Sequence, residues 1–445
     1  MRKVYVESLG CAKNQVDSEV MLKNLEDKGY EKTDDVKEAD LVVVNTCGFI
    51  ESAREESVNT FFSLKAENPD AKFIVTGCMA QRYGDELFKE LPEASAIFGN
   101  RDLEGIIGVA DKVMAGERVE AMPEYPDPDR DCWKRNELLG YPGSAYLKIS
   151  EGCNHWCSYC AIPLIRGELR SRPMGMILQD ANELAKRGIR EINLIAQDLA
   201  AYGTDFDGAS HFRELLENLV RVPGAFRIRL LYIHPDFYPD WLPSFVKEHE
   251  DKVMPYFDIP MQHASPDVLR GMGRKGDPEK YLRLIESIRS VLPEAVIRTT
   301  IMVGFPGEEA KDVRILKEFL LKARIDWMGV FCYSREEGTK AWKMRGQKEH
   351  DADQPRARRA KNAIEKLQVP LTVERLQRFV GNVYPVLVEE KVEGEDLAFG
   401  RIYAQAPDVD GLTLVVGHDL KPGMVVRAGI KSVKEFDLEA VALEE

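Results

Sequence analysis

Six of the eight cysteines in this 445-residue chain fall into two groups of three, an odd number that disulfides within a group cannot use up. Cys153, Cys157 and Cys160 stand at i, i+4 and i+7 within EGCNHWCSYC. A structural zinc ion takes four cysteine or histidine ligands, so three thiolates leave a tetrahedral ion, or one iron of a cluster, a bond short. On a helix the outer pair would lie roughly 10 Å apart along the axis, too far for a compact cluster. A loop wrapped around the metal fits better. Gly152 and Asn154, directly after the predicted strand AYLKIS, permit the backbone angles such a loop needs. Zinc completed by His155 and three incidental core cysteines are the alternatives. His155 lies so close in sequence that it strains the fourth zinc position, and the spacing favours an iron–sulfur cluster with one open iron.

Cys11, Cys47 and Cys78 form the second group. They follow KVYVESLG, DLVVVNT and KFIVTG, each just past the carboxyl end of a predicted strand. In an open parallel sheet those ends face one crevice, so ligands distant in sequence converge in space. Free cysteines are often small buried hydrophobes. Three of them at three consecutive strand-end turns, each beside a glycine, point instead to a metal site, again with one bond open. Cys332, in the apolar stretch WMGVFCYS, and Cys132, in a Pro- and Asp-rich connection, read as ordinary cysteines.

Strands must position both groups. Residues 1–118 alternate strand and helix, which predicts an α/β domain on a parallel sheet. The stretch AMPEYPDPDRDCWKRNELLGYPG reads as a linker, placed at 119–138. Six further strands, AYLKIS, EINLIAQ, FRIRLLYI, PYFDIPMQ, AVIRTTIMVGF and WMGVFCYS, alternate with helices and predict a partial (β/α)6 barrel within 139–376. Short strands punctuated by glycine over 378–445 predict a small all-β barrel in the OB style. The fold class expected is therefore α/β with a C-terminal β-barrel.

The net charge of −14 argues against a general nucleic-acid binder. No apolar run approaches a membrane span, and MRKVYVESLG shows no cleavable signal, so a cytoplasmic location is expected. In a reducing compartment clustered cysteines serve metals or catalysis more often than disulfides.

CNHWCSYC resembles the CxxxCxxC signature of radical S-adenosylmethionine (SAM) enzymes, with Tyr159 as the aromatic before the last cysteine. The resemblance implies that Cys153, Cys157 and Cys160 hold a catalytic [4Fe–4S] cluster whose fourth iron binds SAM through its amino and carboxylate groups. One electron then breaks the sulfonium bond to give a 5′-deoxyadenosyl radical. SLGCAKNQVDSEVM, VNTCGFIESAREES, TGCMAQRYGDEL, LIAQDLAAYG and FCYSREEGT extend the likeness over essentially the whole chain to the radical SAM methylthiotransferases. The branch that modifies ribosomal protein S-twelve is the most similar, and the terminal barrel corresponds to that family's TRAM domain. The likeness further implies a second [4Fe–4S] cluster on Cys11, Cys47 and Cys78. SAM would serve twice, methylating a sulfur on that cluster and supplying the radical that abstracts hydrogen. The β-carbon of an aspartate in S-twelve, free or on the small subunit, would become 3-methylthioaspartate. A low-potential donor such as flavodoxin or ferredoxin is the expected partner; membrane and DNA are not.

Tyr159, Gln197, Asp198, Gln262, His263 and the turn VGFPGE around Gly304 lie at barrel strand ends and are candidates to hold SAM. Gln197–Asp198 could instead cap the following segment, and GFPGE could be only a turn. Arg166, Arg170 and Arg172 are candidates to grip a carboxylate, or else a solvated basic loop. A tRNA methylthiotransferase acting near the anticodon shares fold, clusters and cofactor, and an iron–sulfur redox carrier is the alternative of another class. From Arg378 to Glu445 the chain holds seven Lys and Arg against thirteen Asp and Glu. That acidic barrel suits a basic protein rather than RNA, with Glu389, Glu390, Glu393 and Glu395 as the expected docking residues. The basic run Arg356–Lys361 reads as the solvated face of a connecting helix, with ribosomal RNA as its alternative contact.

Overall fold

The computed structural model describes residues 1–125 and 134–443; Cys132 lies outside the described residues. The first sheet has six parallel strands, in the order Tyr30–Lys32, Arg2–Ser8, Leu41–Thr46, Lys72–Gly77, Ala96–Phe98, Val119–Ala121. Leu41–Thr46 (LVVVNT) is buried at every position, because helices cover both faces of a central parallel strand. Two apolar cores form, one around Val4, Leu22, Leu41, Val43 and Phe98, the other around Val42, Val44, Phe61, Phe73 and Ile97. Residues 119–121, inside the stretch read as linker, are the sixth strand of this sheet. Three-residue edge strands carry too few alternations to announce themselves.

The helix Ala12–Asp27 has two buried sides, which explains its weak amphipathic pattern. Val20, Met21, Leu22 and Leu25 pack on its own sheet. Lys13, Asn14, Asp17 and Glu19 are also buried. Asp17 pairs with Lys148 and Arg166, and Glu19 with Arg135 at 2.7 Å, all three beyond the first domain.

In the central domain six parallel strands stand in chain order: Ser144–Lys148, Glu191–Ile195, Arg227–Leu231, Val253–Asp258, Val296–Val303, Trp327–Cys332. The first and last do not pair, so the barrel is open. Outer helices bury one stripe each, as in Phe212–Leu219, where Phe212, Leu215, Leu216 and Leu219 recur at helical spacing and are buried. The basic run lies in the 31-residue helix Gln347–Gln377, which packs on the last strand and on the helix Ala310–Ala323.

Five strands, Val383–Lys391, Leu397–Arg401, Thr413–Val416, Asp437–Ala442 and Val425–Lys434, close into the terminal barrel in that order. The expected OB-style barrel is therefore present, completed by Asp437–Ala442, which pairs in parallel with Thr413–Val416. Its segment 403–410 runs into the open central barrel. The Arg229 guanidinium donates to the Tyr403 carbonyl at 2.6 Å and the Trp327 indole to the Ala404 carbonyl at 2.6 Å. The Tyr256 hydroxyl donates to Asp410 at 2.6 Å and that of Tyr146 to Asp408 at 3.1 Å. Glu389, expected on a docking face, is buried and pairs with Arg401 at 2.6 Å; Glu390, Glu393 and Glu395 are exposed.

Candidate metal centres and the cleft between them

The carboxyl ends of the first sheet bring Cys11, Cys47 and Cys78 together. Close approach depends on two glycines. A Cβ on Gly10, whose φ is +94°, would fall 2.8 Å from the Cys47 Cβ and 3.1 Å from its Sγ. A Cβ on Gly48 would fall 2.7 Å from the backbone of Cys78. Desolvation pushes the Cys78 thiol up to about 12, with Cys11 and Cys47 adding to the rise and Arg166 opposing it. Cys47 is raised too, again chiefly by burial, while its sulfur accepts a hydrogen bond from the Phe49 backbone N–H.

Cys153, Cys157 and Cys160 lie in a loop that leaves the short strand Ser150–Glu151. Gly152 adopts φ +71°, as expected. Asn154 does not take the left-handed turn; its Oδ1 accepts from the Leu169 N–H at 2.9 Å, and Trp156 turns left-handed instead, at φ +49°. The loop is tied down where Ser158 donates to the Met272 and Gly271 carbonyls at 2.9 and 2.7 Å. Backbone N–H groups of His155 and Ile162 donate to the sulfurs of Cys153 and Cys160. Desolvation raises these thiols to about 11 and about 12, and their mutual proximity adds to it.

Three sulfurs per site, amide donors aimed at sulfur, and flanking glycines where the backbone closes in make a donor set suited to an iron–sulfur cluster. Among the described residues no three His, Cys, Asp or Glu side chains gather tightly enough for a single metal ion. His155 does not complete a zinc site: its Nε2 is 2.6 Å from Asp198 Oδ2, and its ring stacks on Phe237 at 4.6 Å.

The helix Ile162–Arg166 stands between the two triads. Cys160 precedes it, and Cys78 packs against Ala161 and Ile165. At its end Arg166 is buried, donating to Glu151 at 2.8 and 2.9 Å, to Asp17 at 2.8 Å and to Asn14 at 2.7 Å. Burial alone would raise the Glu151 carboxyl, but Arg166 and Lys148 hold it well below the usual range. Arg166 is thus neither a free carboxylate grip nor part of a solvated loop. Arg172 donates to the Lys148 carbonyl at 2.7 Å, and Arg170 stacks 3.4 Å from the Tyr125 ring centroid.

The SAM candidates divide. Tyr159 is buried beside Arg274, and Gln197 is half-buried at a strand end. Gln262 is buried at φ +68°. Asp198 is fully engaged, accepting from the Ala200 and His234 N–H groups at 3.1 and 3.0 Å besides His155, so it caps the segment after its strand. His263 is buried with Nε2 3.5 Å from Glu308, and Glu308 accepts from the Gly304 N–H at 2.9 Å, closing the VGFPGE turn. Sequence reasoning missed Arg274, Lys13 and Tyr232. The Lys13 ammonium lies 3.5 Å from the Tyr232 ring centroid, joining the first domain to a barrel strand end. Its position two residues after Cys11 was the only available signal.

Family models agree with this layout. Residues 3–99 match the uncharacterized protein family UPF0004, 147–320 the radical SAM superfamily and 380–443 the TRAM domain. In fold the chain is similar to TsrM, a radical S-adenosylmethionine methyltransferase from Kitasatospora setae, with a TM-score of 0.55 at 15% identity over 74% of this chain and 73% of that one. The class is therefore that of radical SAM enzymes, whose cofactors are S-adenosylmethionine and [4Fe–4S] iron–sulfur clusters. Full-length relatives narrow it. The chain is 41% identical to the ribosomal protein uS12 methylthiotransferase RimO of Treponema denticola, over 98% of this chain and 99% of that protein. It is 42% identical to RimO of Syntrophomonas wolfei, over 97% and 98%. The chain belongs to the RimO family of methylthiotransferases.

Proposed function

We propose that this chain methylthiolates the β-carbon of an aspartate in ribosomal protein uS12, giving 3-methylthioaspartate. The observation that supports it most is the pair of cysteine triads on either side of the helix Ile162–Arg166, within one chain. Cys153, Cys157 and Cys160 would hold the cluster that binds SAM, and Cys11, Cys47 and Cys78 the auxiliary cluster. When bound, these groups supply radical abstraction of an unactivated hydrogen and a transferable methylthio sulfur, chemistry no side chain provides. The chain's own part is to hold, orient and enclose. Tyr159, Gln197, Gln262 and Gly304 flank the SAM side at the barrel strand ends. Arg166 lends positive charge to the auxiliary side, with Cys78 and Cys11 in its field. Glu336 accepts from Arg54 and Arg82, both at 2.6 Å, fastening the first domain over the barrel mouth.

The exposed acids Glu390, Glu393 and Glu395 would meet the basic substrate protein. Among the described residues no helix is long and apolar enough to cross a membrane. A cytoplasmic site of action with a flavodoxin- or ferredoxin-like donor fits the reading. The test is to reconstitute the chain anaerobically with iron and sulfide, then incubate it with uS12, SAM and reductant. A single methylthio group on one aspartate, found by mass spectrometry together with 5′-deoxyadenosine, is expected. 5′-Deoxyadenosine with unmodified uS12 would overturn the substrate, and no 5′-deoxyadenosine at all would overturn the chemistry.

A further inference from the structure

Lys13 occupies the first turn of the helix Ala12–Asp27, only 5% exposed, with its ammonium over the Tyr232 ring. Tyr232 directly follows the barrel strand Arg227–Leu231 and holds φ +70°, a conformation rare for a bulky residue and kept only where the surroundings impose it. Lys13 therefore bridges two regions: Cys11 of the auxiliary triad on one side, the mouth of the barrel on the other. Around it lie Cys11, Arg166, Asp258 and Glu151. Both carboxylates are already committed. Glu151 pairs with Lys148 and Arg166, and Asp258 accepts from Arg298 at 3.2 Å. Among the described residues Lys13 has a ring face but no hydrogen bond or ion pair. The ammonium thus sits at the seam between the auxiliary triad and the barrel mouth, where an arriving carboxylate can meet it without displacing an existing ion pair.

We infer that Lys13 is the anion-binding residue of the substrate pocket, receiving the carboxylate of the target aspartate with Tyr232 beside it. The inference rests on the uS12 reading above and adds to it the residue that recognises the substrate side chain. In aspartate the β-carbon is bonded directly to the side-chain carboxyl carbon. A cation two residues from Cys11 that grips this carboxylate sets the reacting carbon beside the auxiliary triad. It also selects: an adenine base brings no carboxylate and leaves the ammonium unpaired, a mismatch that buried polar sites reject strongly. SAM carries a carboxylate too, so the same chemistry has a second source that the experiment must separate.

The experiment is a double-mutant cycle on the reconstituted full chain. Affinity is measured for the wild-type and Lys13→Met chains, each against uS12 and against uS12 whose target aspartate is replaced by asparagine. Each change alone is expected to weaken binding roughly 10- to 100-fold, and the second to add little once the first is made. Independent losses that multiply would overturn the inference. So would a Lys13→Met chain that has lost affinity for SAM in equilibrium dialysis, since the carboxylate would then be the cofactor's. A fall in iron content would assign Lys13 to the charge balance of the auxiliary site and overturn it as well. The asparagine arm uses the unaltered chain, so misfolding of the variant leaves a decisive measurement: equal affinity for both forms of uS12 sinks the inference. A wild-type chain that modifies uS12 while the cycle shows no coupling removes the inference alone; one that neither binds nor modifies uS12 removes the reading beneath it too.

Discussion

The two cysteine triads use the same ligand count but are assembled by different physics. The Cys153, Cys157 and Cys160 site is local: eight consecutive residues, a loop shaped by Gly152 and Trp156, and two backbone N–H donors set its geometry, with Ser158 anchoring it to Gly271 and Met272. The Cys11, Cys47 and Cys78 site is held by sheet register. Arg2–Ser8, Leu41–Thr46 and Lys72–Gly77 are adjacent parallel strands, so their last residues come level only when the pairing is correct. A local site keeps its ligand spacing whatever the register of distant strands. A register-built site inherits every error in the fold, and here it leans further on a second domain through Arg166.

The largest effects should come from breaking one triad at a time. Cys153→Ala is expected to remove about four irons per chain and abolish 5′-deoxyadenosine formation. Cys78→Ala should also remove about four irons, yet keep 5′-deoxyadenosine formation while losing the methylthio product. Iron analysis and product chromatography on the two variants read this directly. If both lose SAM cleavage, the division of labour between the sites is wrong.

Next in size is Arg166→Met, which tests the dependence of the register-built site on its neighbour. The substitution leaves Glu151 and Asp17, both buried, short of a cation, a cost of about 3–5 kcal/mol. The midpoint of urea unfolding should fall, and iron should be lost preferentially from the first-domain triad. Equal loss from both sites would show that the helix Ile162–Arg166 supports them alike.

A smaller change is expected from His155→Ala. The imidazole holds Asp198, which keeps two backbone donors without it, so about 1–2 kcal/mol of local order is at stake. Iron content should be unchanged and SAM cleavage reduced only a few-fold. Loss of metal from this variant would restore the histidine as a ligand.

The contrast between the triads also explains what could be read from the sequence. Spacing alone exposes the local site, and glycine-flanked cysteines after three apolar strands expose the other, because strand ends in a parallel sheet share a side. The side chains that join the domains stayed hidden. Lys13, Asp17 and Glu19 sit in a helix whose polar side is covered by another domain, so the usual equation of polar with exposed misleads. Glu389 turned inward within its own barrel, claimed by Arg401 on the neighbouring strand. The plug formed by residues 403–410 is irregular backbone whose partners, Tyr146, Arg229, Tyr256 and Trp327, come from four different strands.

The smallest effect on either triad should come from loosening that plug at its Glu191 end, where a barrel strand begins. Glu191 begins its strand and accepts from Arg401 at 3.0 Å and Arg229 at 3.2 Å. Burial alone would raise its carboxyl, but the two guanidiniums hold it at about 2, against an ordinary value of 4.5. The folded state thus favours the charged form. Its contribution, on the order of 3 kcal/mol, is complete above the ordinary value and lost as pH falls from about 4.5 toward 2. In the iron-free chain, tryptophan fluorescence should therefore report an acid transition in that window, since the Trp327 indole is bonded to Ala404 in the plug. Glu191→Gln should remove most of that pH dependence and leave Arg229 and Arg401 without their charged partner at every pH. At neutral pH the same variant should show faster proteolysis of the terminal barrel, while iron content stays that of the wild type. Should iron be lost instead, the register-built site reaches the far end of the barrel, and the separation between a local and a distributed triad is less sharp than their geometry indicates.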